Sequence, residues 1–290
     1  MSHCFLSLAL CLGTACAVAQ SNPAAPLFLS DDLGVSWDPL ATGLPEDLNV
    51  RAVVDHEGTL YLSATGDGVY VLPKGEKAWQ CRNAGLPQRH DYPLLPTSLV
   101  HTGRHLVLGT YADGVFVSGD GGLTWRAAET NIRDVVSALH QTDRALYAGT
   151  HTGIWRSLDD GVTWEEHART GGRVNGIATV GDRIVIASQN GFGVLLDGGV
   201  EWSGDETPSA IIQLLTEGNA VFAVTAAGQV YLSTDGTRWT TNPVPVLLSN
   251  RQQLPLALWS GYRSTVTRAG NWGLIYPTSR GWVTSPADGC

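Results

Sequence analysis

Short runs in which apolar and polar residues alternate recur along the chain, each cut off by a turn rich in Gly, Asp or Asn. Residues 49–54, 135–139 and 211–215 are three such runs, and a period of two is the mark of a half-buried strand. A polar turn follows each, as at 56–58, 141–144, 181–183 and 217–219. Next comes a more apolar run: Leu60-Tyr-Leu62, Leu106-Val-Leu108, Leu146-Tyr-Ala148, Ile184-Val-Ile186 and Val221-Phe-Ala223. A third strand then carries an aromatic residue, Tyr70, Phe116, Trp155 or Tyr231. Nothing sustains a period near 3.6, and 34 glycines punctuate the 290 residues, so the chain reads as all-β.

Between the third strand and a fourth stands a box of the form Ser-x-Asp-x-Gly-x-Thr-Trp. It occurs as Ser118, Asp120, Gly122, Trp125 and as Ser157, Asp159, Gly161, Trp164. A third copy is Ser30, Asp32, Gly34, Trp37, with Ser36 in place of Thr. A weaker copy has Leu195 for the Ser, followed by Asp197, Gly199 and Trp202. Another, Ser233, Asp235, Trp239, is one residue short, while Trp79 and Trp272 hold the same place with the Asp lost. These residue types suit a tight hairpin. Gly reaches positive φ at no steric cost, Asp accepts hydrogen bonds from loop N–H groups, Ser bonds across the turn, and Trp gives a small unit a large apolar body.

The seven Trp lie 33 to 46 residues apart, a period that suits one four-stranded blade per repeat. The expected fold is a β-propeller of four-stranded antiparallel blades. Residues 27–40 hold only the second half of a repeat, so this N-terminal hairpin is expected to close the ring by joining the C-terminal strands. Six full units and the half unit make seven blades if 273–290 supply the missing strands. The count is six if the last unit, 244–272, with Pro255 in its second strand and Arg268 for the box Asp, is not a regular blade.

Hydrophobic residues make up 43% of the chain, enough for a sizeable core. The formal charge is −9 with no basic cluster, which argues against nucleic acid and anionic membranes as partners. Residues 1–19 read as a secretory signal, with Ala17-Val18-Ala19 as the cleavage site, 20–26 as a linker and 27–290 as one domain. The expected location is secreted or periplasmic. No other segment is long and apolar enough for membrane insertion once the signal is removed. Cys81 and Cys290 then remain, and a disulfide between them or two unpaired thiols satisfies the count equally.

The string Leu-Tyr-Ala-Gly-Thr…Gly-Ile-Trp-Arg-Ser…Asp-Gly-Val-Thr-Trp at 146–164, with Gly-Leu-Pro at 43–45 and 85–87, resembles the Asp-box (BNR-repeat) β-propeller family. The resemblance spans residues 27–272. It implies that the boxes lie at the rim, away from the ligand face, and that Asp32, Asp120, Asp159, Asp197 and Asp235 are structural. The family includes sialidases, xyloglucan hydrolases, sorting receptors and photosystem II assembly factors, so it implies no single function. No Arg-Ile-Pro motif or arginine triad of a sialidase is present. A xyloglucanase-like cleft needs two propellers, and this chain holds one. No cofactor fingerprint appears, and His101-x-x-x-His105 lacks a third metal ligand.

In a meander blade, the second-to-third turns and the links between blades share one end, where propellers usually bind ligands. The aligned turns place Thr65, Tyr111, His151, Gln189, Ala226 and Trp259 in one ring there, with Asp67 and Asp113 equivalent to each other. The longest link adds Arg89, His90, Asp91 and Tyr92. Aromatics beside carboxylates and amides suit a peptide or sugar surface. The expected function is therefore a non-catalytic binding or scaffold module for a protein or glycan at the cell envelope. The alternatives are a glycoside hydrolase and an assembly factor for a membrane complex.

Overall fold

Alternating runs separated by tight turns fold as meanders of antiparallel strands. The computed structural model describes residues 27–30, 38–88, 93–203, 211–217, 219–225, 230–241, 266–268, 271–278 and 281–287. The chain opens with β1 (Phe28–Ser30) and β2 (Asp38–Pro39). The first sheet is β3 (Asn49–His56), β4 (Thr59–Thr65), β5 (Gly68–Leu72) and β6 (Gln80–Cys81). The second is β7 (Pro96–His101), β8 (Leu106–Thr110), β9 (Val115–Ser118) and β10 (Arg126–Ala127). In the third are β11 (Val136–Gln141), β12 (Leu146–Thr150), β13 (Gly153–Ser157) and β14 (Glu165–Arg169). The fourth holds β15 (Val174–Val180), β16 (Arg183–Ser188), β17 (Gly191–Leu196) and β18 (Gly199–Trp202). The fifth holds β19 (Ile211–Glu217), β20 (Ala220–Thr225), β21 (Val230–Ser233) and β22 (Thr240–Thr241).

The two ends of the chain share a further sheet. Its order is β2-β1-β25-β24-β23, built with β23 (Val266–Arg268), β24 (Asn271–Thr278) and β25 (Gly281–Ala287). Phe28 pairs with Thr284 and Ser30 with Trp282, so the first strand of the chain lies against the last. The expected N-terminal contribution to a C-terminal sheet is present. Trp272 corrects the sequence reading: it lies inside β24, paired with Thr267 and Ala287, and does not follow a box. With neither Ser nor Asp to hold a longer loop there, Arg268 pairs directly with Asn271. Most of the last full unit, 244–272, lies outside the described residues, as do 1–26 and Cys290.

The core is a succession of seams between neighbouring sheets, because each sheet is apolar on both faces. The first strands of consecutive sheets touch in order, β3 to β7 to β11 to β15 to β19, and β24 touches β3. Tyr61, Val69 and Val71 of the first sheet pack with Leu99, Leu106, Leu108 and Phe116 of the second. Val107, Val115 and Val117 pack with Val136, Leu146 and Ala148 in the next seam. A box Trp closes several seams from the rim: Trp79, Trp125, Trp164 and Trp239 each belong to one.

One irregularity repeats. The first strand of all five four-stranded sheets carries a bulge near its start, at Val50/Ala52, Pro96/Ser98, Val136/Ala138, Val174/Gly176 and Ile211/Gln213. The residues left over are Arg51, Thr97, Ser137, Asn175 and Ile212. A bulge re-aims its extra side chain, and two of these serve as stitches. Thr97 Oγ1 donates to the carbonyl of Val136, and Ser137 Oγ to that of Val174, each in the next sheet.

Candidate ligand-binding face

The box acids come first, because they look most like chemistry. Ser118 Oγ donates to Asp120 Oδ1 (2.7 Å) and accepts from Gly122 N–H (2.8 Å). The same carboxylate accepts from Thr124 N–H (2.9 Å) and Thr124 Oγ1 (2.5 Å). Ser157, Asp159, Gly161 and Thr163 repeat this set at 2.6–2.8 Å. In the shorter copy Asp235 accepts from Thr237 N–H and Arg238 N–H at 2.8 and 2.9 Å, while Ser233 Oγ accepts from Gly236 N–H. Asp120 also borders a hollow of about 250 Å³, but both of its oxygens are engaged within its own hairpin.

These bonds hold the carboxylates ionised. Hydrogen bonds from Thr124 take Asp120 down to about 2, and those from Arg238 and Thr237 do the same for Asp235. Burial would raise Asp159, and bonds from Thr163 and Ser157 outweigh it, so its pKa also lies below the ordinary value. A carboxylate whose pKa is depressed on folding contributes stability that is fully present above the unfolded value and fades as pH falls through the folded one. The urea midpoint should therefore drop between pH 3.8 and about 2. In the Asp120→Asn/Asp235→Asn double variant it should start lower and fall less steeply. Equal slopes in the two proteins would remove the carboxylates from the account.

The fourth copy departs from expectation. Leu196 pairs with Gly199, leaving Asp197-Gly198 as a two-residue hairpin turn with Asp197 exposed, and Trp202 sits within β18 opposite Gly193. The box needs a hydroxyl at its first position to accept the Gly N–H, and Leu195 supplies none. In the first copy, Asp32, Gly34 and Trp37 lie outside the described residues, with Ser30 ending β1. Trp79 keeps its place without the Asp, its Nε1–H donating to Leu40 O at 2.8 Å.

At the opposite end of the sheets the second-to-third turns meet the links. Gly66 N–H donates to Leu94 O, Tyr111 N–H to Leu95 O and Gln189 N–H to Arg173 O, so each turn is fastened to a neighbouring link. Thr65 Oγ1 accepts from Arg51 Nε, the bulge residue of β3, at 2.6 Å. Burial and the nearby Asp47 raise the Asp67 carboxyl. Tyr111 is 51% exposed, and Gln189 is exposed as well. His151 is half-buried, with Nδ1 4.0 Å from Asp134 Oδ1, while Asp134 Oδ2 accepts from Thr152 Oγ1 at 3.0 Å. A depression of about 420 Å³ opens beside Tyr111, lined by Ala112, Asp113 and Gly114 of the β8–β9 turn and by Ala128, Thr130, Ile132 and Arg133 of the next link.

The structure thus places Thr65, Asp67, Tyr111, Asp113, His151 and Gln189 on turns at one end. Arg89, Tyr92, Ala226 and Trp259 lie outside the described residues. Arg51, Asp134 and Arg133 join them there and were missed by aligning turns alone. A polar residue at the second or third position of a first strand (Arg51, Thr97, Ser137, Asn175) was the available signal for the bulges. Cys81 is a free, exposed thiol that accepts from Asn83 Nδ2 at 3.2 Å. Glu165 and Glu166 are surface residues paired with Arg156 and Arg169. No helix among the described residues is long and apolar enough to cross a membrane.

No family model and no curated protein matches the sequence. Among solved structures, the chain is similar to the WD40 β-propeller domain of Doa1 at 12% identity and TM-score 0.54, covering 84% of this chain and 94% of that one. YCF48 bound to D1 peptide matches at 15% identity and TM-score 0.57, over 88% and 83% of the two chains. The extracellular domain of a hybrid two-component system from B. thetaiotaomicron matches at 14% and TM-score 0.59. That alignment covers 86% of this chain and 33% of the other. These likenesses establish the β-propeller architecture and nothing finer.

Proposed function

We propose that this chain is a secreted or periplasmic, non-catalytic β-propeller whose turn-and-link face captures a partner protein or a glycan. The five four-stranded sheets and the sheet shared by both ends of the chain are read as blades of one ring, seven in all by the repeat count or six if the last unit is not a regular blade. The observation that carries the functional reading is the contrast between the two ends. The box carboxylates are engaged within their own hairpins, whereas the other end offers exposed Tyr111 and Gln189, and an open depression adjoins the β8–β9 turn that carries Tyr111. An aromatic platform next to mixed polar groups is the composition of a recognition surface. That YCF48 has been seen with a peptide bound, and that another propeller of this shape is an extracellular domain, supports the reading.

Protein from Gln20 onward, probed against a glycan array and a displayed linear-peptide library, tests it. A binder from either source should lose at least roughly tenfold in affinity for Tyr111→Ala, the size expected when an aromatic anchor of about 1.4 kcal/mol or more is removed. Undiminished binding by that variant would move the site elsewhere. Turnover of a sialoside or xyloglucan would replace the binding module with an enzyme.

A further inference from the structure

On the box side of the seam between the first and second sheets, two imidazoles lie face to face. His56 ends β3 and His101 ends β7. Their centroids are 3.5 Å apart with the planes 13° from parallel, and Tyr61 flanks His101 at 5.7 Å. His105, across the β7–β8 turn, faces the next sheet, with Nδ1 3.2 Å from Asp160 O. His101 Nδ1 accepts the N–H of Gly103 at 3.0 Å. That bond fixes the tautomer: the lone pair is on Nδ1 and the ring proton on Nε2.

Protonating His101 has two consequences. A proton on Nδ1 would point at the Gly103 N–H, replacing a hydrogen bond with two opposed donors. The new charge would also sit against the face of His56, where a second proton would place like charges a stacking distance apart. The charged and titratable neighbours are mixed. Glu57 on the β3–β4 turn favours the protonated form, while His105 opposes it. Arg104 lies on the β7–β8 turn, Lys74 packs on Gly58, and Arg82 acts on Tyr61. Asp55 Oδ1 accepts the Gly58 N–H.

We propose that the His56–His101 stack is an acid-sensitive latch between the first two full blades, closed while the His101 ring is neutral and released when it takes up a proton. Release separates the β3–β4 and β7–β8 turns on the side away from Tyr111. Burial and His56 hold His101 down at about 4, so the latch responds to acid below the ordinary histidine range. His140, between the third and fourth sheets, is also held at about 4 by burial, so global unfolding alone would not isolate the latch, and the readout must be local.

The test is an NMR titration of the histidine rings together with amide exchange at Gly103, corrected for intrinsic rates. The ring of His101 should titrate near 4, and protection at Gly103 should fall at least roughly tenfold from pH 7 to the bottom of that titration. In His101→Asn, whose Oδ1 can accept the same N–H without titrating, that fall should vanish. His56→Phe keeps a stacked ring but not its charge, and should move the His101 midpoint upward. A His101 midpoint at the ordinary value, equal loss of protection in His101→Asn and wild type, or an unmoved midpoint in His56→Phe would each overturn the latch.

Discussion

Gly85→Ala is expected to lower folding stability by more than about 3 kcal/mol, enough to unfold much of the population of an ordinary domain. Gly85 has φ +90°, a left-handed conformation that costs an L-residue about 1–2 kcal/mol. An added Cβ would also overlap the carbonyl oxygen of Trp125. That obstacle is backbone, fixed by the Trp125 N–H bond to Ala84 O at 2.8 Å, so it cannot swing aside. Gly43 stands in the same relation to Trp79, which gives the two Gly-Leu-Pro segments a physical reason: each lets the next box Trp dock by its backbone. Gly75 is the control. Its φ is +85° but nothing lies within 4 Å of an added Cβ. Gly75→Ala should cost only the conformational term of about 1–2 kcal/mol. Urea midpoints of the two variants should differ accordingly, and similar midpoints would deny the Trp docking its importance.

Trp125→Ala should cost about 3–5 kcal/mol, the range for deleting a buried aromatic. The side chain is buried among Leu86, Leu94, Leu99, Leu106 and Phe116, and its Nε1–H donates to Arg82 O at 2.8 Å. Removing it opens the seam between the first two blades at its rim. The indole nitrogens separate packing from hydrogen bonding. Trp125→Phe keeps most of the apolar body but orphans the Arg82 carbonyl, for about 1–3 kcal/mol. Trp239 stacks on Phe192 at 3.6 Å, and its buried Nε1 has no hydrogen-bond partner among the described residues, so Trp239→Phe forfeits none of their bonds and should cost less. If Trp239→Phe proves the more damaging of the two, the indole bond to Arg82 is not what anchors Trp125.

Much of this arrangement was legible in the residues. Alternation with an aromatic third strand placed β3 to β5 and β11 to β13 because each sheet is buried on both faces and turned by Gly-containing loops. Box copies with both hydroxyl and carboxylate, at 118–125 and 157–164, fold alike. Copies that lost one part diverged for a reason the residues contain. Leu195 cannot accept the Gly N–H, so that loop tightened to a two-residue turn, and Arg268 pairs with Asn271 where the Asp is gone. The bulges escaped because a period of two hides one extra residue, and only the intrusion of Arg51, Thr97 or Ser137 into an apolar run betrays it. The His56–His101 stack was illegible, since it joins two strand ends that only neighbouring sheets bring together. Which turns share a face followed from topology, but His151 facing Asp134 depends on the link between β10 and β11, and no repeat dictates that.

The central claim is that the box carboxylates brace their hairpins as acceptors ionised down to about pH 2 while recognition occupies the opposite face. Site-resolved NMR titration of the aspartate carboxyls, with and without calcium, tests it most directly. Asp120 and Asp235 should titrate at about 2 and be indifferent to the cation. Ordinary values near 3.8, or resonances that move on adding calcium, would contradict it.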